Sequence, residues 1–228
     1  APLEDNFDRV GARVDAGGML DLTSTNLEAV MHLQIQAATF TTPVGFSLTR
    51  VDPVDLLPES GLNASGSPAT IDPVAAYQFT FAVPTLNRDA MLSFDIDVTQ
   101  LDAATRTALL GAVAAGTATM VTKGDAPGSA FQAFPICGSA DTPTAGGCVQ
   151  VEALDALGHP TSGTPAIVRF SNVVGHFSTW AVAIVTQVTQ TNRTVICSML
   201  GSHWFLDVHL FEFNGVKGEK VTVTLAPN

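Results

Sequence analysis

Three small groups of side chains in this 228-residue sequence have types and spacings that could do chemistry. His176 and Ser178 flank Phe177. On a strand, side chains alternate with a period of two, so an imidazole base and a hydroxyl would share one face there. Ser178 could then attack the Phe177 carbonyl by an N-to-O acyl shift, with water resolving the ester. That reaction also needs a strained peptide and oxyanion donors. The same residues, followed by Thr179-Trp180-Ala181, read equally well as an ordinary edge strand in which Phe177 and Trp180 pack. Asp95 and Asp97 alternate with Phe94, Ile96 and Val98 and fall together on one strand face, where they could hold calcium or form a hydrated polar face. Cys137 and Cys148 bracket a ten-residue Gly/Thr/Pro loop with no further Cys or His at metal-ligand spacing, so a disulfide is expected. Cys197 is then left over.

Other chemistry finds little footing. No nucleophile elbow, zinc-binding His-Glu-x-x-His, phosphate loop or dinucleotide fingerprint occurs, and His32, His159, His176, His203 and His209 are scattered. Metal binding by His203 and His209 competes with simple packing beside Trp204. With 10 basic against 21 acidic side chains the formal charge is −11. Lys123, Lys217 and Lys220 are the only lysines and none forms a basic cluster, which argues against nucleic acid and against anionic membranes as partners. The most apolar stretch, Trp180 to Val185, is far too short to span a bilayer, so no membrane span is expected. The opening Ala1-Pro2, without a leader, reads as what signal-peptide removal would leave, so a mature secreted chain is expected.

Strands must position these groups. Period-two alternation runs through Tyr77, Phe79, Phe81 and Val83 and through Phe94, Ile96 and Val98. Further candidates are Leu20 to Leu22, Met31 to Ile35, Phe46 to Leu48, Ala118 to Val121, Val149 to Val151, Ile167 to Phe170 and Trp180 to Val185. So many short strands predict an all-β chain, mainly an antiparallel β-sandwich. One α-helix is expected near 102–115, from its acidic N-terminal Asp102 through an alanine-rich run to Gly116. Pro58 to Pro68 and Gly158 to Pro165 read as exposed loops. Residues 1–185 form the expected sandwich domain, divisible into N-terminal strands 1–70 and a part 71–185. Residues 186–194 are then a polar connector, and 195–228 an assembly segment with a hairpin connection over Asn214 to Gly218. A lone hairpin is marginal in water, so Phe205, Leu210, Phe211, Phe213, Val221, Val223 and Leu225 must pack on something.

Two stretches resemble known families. Ser171 to Val185 (SNVVGHFSTWAVAIV) resembles the last strands of ZU5-like β-sandwich domains, in which a His-Phe-Ser motif can be an autoproteolysis site. The resemblance implies cleavage between Phe177 and Ser178, with His176 and Ser178 as the working groups. Phe205 to Leu225 (FLDVHLFEFNGVKGEKVTVTL) looks like the opening hairpin of a bacterial pre-peptidase C-terminal domain, a secreted β-sandwich accessory module in which a second acidic residue usually stands where His209 does.

The leading expectation is a non-catalytic, secreted bacterial protein with a structural or adhesive task, self-associating into an extracellular or cell-surface filament through its C-terminal strands, with no resident cofactor. A self-cleaving domain using Ser178 is one alternative. A carbohydrate- or calcium-binding accessory module of a secreted enzyme is another, although two Trp and one Tyr leave few platforms for sugar.

Overall fold

A computed structural model describes residues 9–14, 20–25, 29–35, 44–51, 57–81, 85–124, 126, 128–176 and 178–188. Phe177, Cys197 and the expected assembly residues Phe205 to Leu225 lie outside these residues. In chain order the strands are β1 (Arg9–Val14), β2 (Leu20–Thr25), β3 (Ala29–Ile35), β4 (Val44–Arg50), β5 (Glu59–Leu62), β6 (Pro68–Phe81) and β7 (Thr85–Asp97). The helix α1 (Ala103–Ala115) follows, then β8 (Ala118–Lys123), β9 (Phe131–Ala133), β10 (Gln150–Leu154), β11 (Ile167–His176) and β12 (Thr179–Gln187). They build two sheets, one ordered β1-β4-β6-β12-β8-β9-β5 and one ordered β10-β11-β7-β3-β2. All pairings are antiparallel except β5 with β9. The chain is therefore an all-β sandwich with one short helix.

Alternation drives the stacking of the sheets. Along β3 every second residue from Ala29 to Ile35 is buried, and along β11 Val168, Phe170, Asn172 and Val174 turn inward. These meet Tyr77 and Phe79 of β6, Leu92, Phe94 and Ile96 of β7 and Trp180 and Val182 of β12 in the main core. Full burial of each large side chain stabilises the fold by about 1.5–3 kcal/mol. The rings of Tyr77 and Phe94 stand 5.7 Å apart, and those of His176 and Trp180 stand 5.8 Å apart. Hence β6 faces β7 and β12 faces β11, which leaves β1 and β2 ending their sheets on the same flank.

The larger sheet also closes on itself. β5 pairs with β9 on one side and with the first residues of β6 on the other, so β6, β12, β8, β9 and β5 form a ring. A bulge makes this turn feasible: Val182 pairs with Ala75 and Ala183 with Pro73, which skips Val74 and bends β6 where a proline lacks its ladder donor. Inside the ring sits a second core of Ile71, Val121, Phe131 and Val185 among the small residues Ala69, Ala76, Ala133, Ala181 and Ala183. The seam at β5 needs glycine, because a Cβ on Gly61 would lie 2.5 Å from Ile71 Cγ1 and 2.8 Å from the Phe131 carbonyl.

Local signals hold at the helix. Asp102 caps it by accepting hydrogen bonds from the backbone N–H groups of Ala104 and Thr105. Gly116 ends it in the left-handed conformation at φ 69°, and Leu109 and Ala112 join the main core. Two expectations change. Pro58 to Pro68 is no loop but β5, a turn at 63–67 and the start of β6, held together by long-range closure that outweighs its poor strand propensity. β12 also runs through Thr186 and Gln187, which pair with Thr70 and Ala69, so these two residues of the expected connector belong to the larger sheet. Among the described residues no helix is long and apolar enough to cross a membrane.

Candidate functional site

His176 and Ser178 do not share one strand. His176 is the last residue of β11, paired with Thr85, and β12 begins at Thr179, so the chain passes from one sheet to the other between them. Strand alternation therefore does not relate their side chains. His176 is exposed beside Trp180, whereas Ser178 is 2% exposed and its hydroxyl lies 2.7 Å from Thr122 Oγ1. The Ser178 carbonyl accepts the Phe79 N–H at 3.1 Å. These bonds stitch the sheet crossing to β6 and β8.

Asp95 and Asp97 alternate on β7 as expected, each in its own bonds. Asp95 is 8% exposed, and its two oxygens accept from Arg169 Nε and Nη2, both at 2.6 Å. Burial alone would penalise that charge; the guanidinium fork offsets the penalty, and the carboxylate in turn holds the Arg169 pKa above its ordinary value. His32 Nε2 approaches the same carboxylate at 3.7 Å from β3. Asp97 accepts from the backbone N–H and hydroxyl of Thr99 where β7 turns. Among the described residues no group of three or more His, Cys, Asp or Glu is placed to hold a metal ion.

The surroundings of Asp95 form a polar ladder that the sequence reading did not assemble. Cross-strand register lines up Glu152, Arg169 and Asp95 over β10, β11 and β7, and beside them Gln150, Ser171, Ser93 and His32. The Ser93 and Ser171 hydroxyls are 3.0 Å apart. Arg169 lay within a recognised strand pattern, yet its opposition to Asp95 is a property of register, which no local pattern carries.

Cys137 and Cys148 are bonded, with Cα atoms 4.8 Å apart. The bridge is reinforced by the Cys137 N–H donating to the Val149 carbonyl and the Val149 N–H to the Pro135 carbonyl. The loop between them is presented outward from the start of β10. A cleft of about 310 Å³ opens at the mouth of the ring, between the turn at Asn63, Gly116 at the helix end, Phe134 and Gln187. Asn63, part of a glycosylation sequon, is buried, and its Oδ1 accepts from the Ser65 N–H, the Ser65 hydroxyl and the Ser67 N–H. It acts here as a turn residue.

The remaining feature is the sheet edges. Among the described residues the larger sheet is sealed at β5 and ends at β1, while the smaller ends at β2 and β10. Pro160 bridges back to Leu154 beside β10. No protein-family model, no curated protein and no solved structure matches the chain.

Proposed function

We propose that this chain is a non-catalytic, secreted structural or adhesive protein that assembles by strand addition. The observation that carries the reading is the asymmetry of the seven-stranded sheet among the described residues, where β5 closes one side and β1 ends the other. An open edge offers unpaired backbone groups to another strand, and main-chain hydrogen bonds then supply affinity while alternate side chains supply register. The alternating apolar residues Phe205, Leu210, Phe211, Phe213, Val221, Val223 and Leu225 are the natural donors. Two further facts agree. The disulfide suits an oxidising, extracellular setting. The side chains with chemical potential also bond structurally, Asp95 with Arg169 and Ser178 with Thr122. Light scattering of the full chain over a range of concentrations is expected to show multimers that Leu210→Asp and Phe211→Asp disperse. Monomers at every concentration would overturn the reading.

A further inference from the structure

We draw no further inference here: the strongest candidate, the cleft at the mouth of the ring between the turn at Asn63, Gly116 at the helix end, Phe134 and Gln187, carries nothing, because the Asn63 amide oxygen and the Thr117 and Thr119 hydroxyls that line it already bond within the chain and nothing in the structure shows what covers it.

Discussion

Asp95 lies almost buried beneath the guanidinium of Arg169, and each side chain is costly without the other. Arg169→Met would strand a carboxylate in the sheet face. Because the arginine is about a third exposed and solvent screens it, a loss of about 2 kcal/mol is expected in urea unfolding, less than for a fully buried pair. Removing both, as Asp95→Val with Arg169→Met, should cost less than the single change, since no charge is then left unpaired. Ser178→Ala deletes one hydroxyl from the Thr122 pair while Thr122 keeps its bond to the Thr179 carbonyl. The expected cost is about 1 kcal/mol, with the denatured chain showing the same single intact mass as the wild type. Two fragments from the wild type and one from the variant would instead make Ser178 a nucleophile. The types of these residues were legible in the sequence. Their partners were not, because Arg169 and Asp95 are 74 residues apart and meet only through the β11 and β7 register.

The helix and the strands with a clear apolar alternation, such as β3, β7 and β11, match the sequence expectation, whereas the short strands β5 and β9, closed from a distance, do not. Helix α1 is local: Asp102 and Gly116 cap it from within a turn of its ends. Hydrogen bonds from Thr105, first its hydroxyl and then its backbone N–H, hold the Asp102 carboxyl below the ordinary carboxylate pKa. A carboxylate pKa depressed by folding contributes stability that is complete above the unfolded value, near 3.9, and is lost as pH falls through the lower folded value. Asp102→Ala should therefore lower the melting temperature at pH 7 and shrink that difference in strong acid. The disulfide was legible because its loop is short; reducing it should cost about 2–3 kcal/mol, measured by unfolding with and without reductant. β5 and β9 escaped notice since they are short and their pairing with each other is set by the closure of the ring. Gly61→Ala tests that closure. Its new methyl must displace Ile71 or the Phe131 backbone, and a loss of about 1–3 kcal/mol is expected with α1 and the main core retained.

At the scale of the molecule, the larger sheet closes at β5, and among the described residues β1 and β2 end the two sheets on one flank while β10 ends the smaller sheet on the other. Assembly by strand addition should depend on concentration, and on salt only modestly, since salt screens charges rather than backbone hydrogen bonds and apolar contacts. Light scattering at low and high ionic strength checks this; collapse to monomers in moderate salt would point to a charged interface instead. The sequence by itself determined the class of the fold, the helix with both its ends, the disulfide and the apolar face of most strands, because each rests on composition or on a period of a few residues. Only the tertiary structure decided that β11 and β12 belong to different sheets, which separates His176 from Ser178, and that Asp95 is held by Arg169. It alone decided that the larger sheet closes at β5 and, among the described residues, ends at β1. Strand order and register arise from contacts between distant residues competing for one core, and no local periodicity encodes which strand will lie beside which.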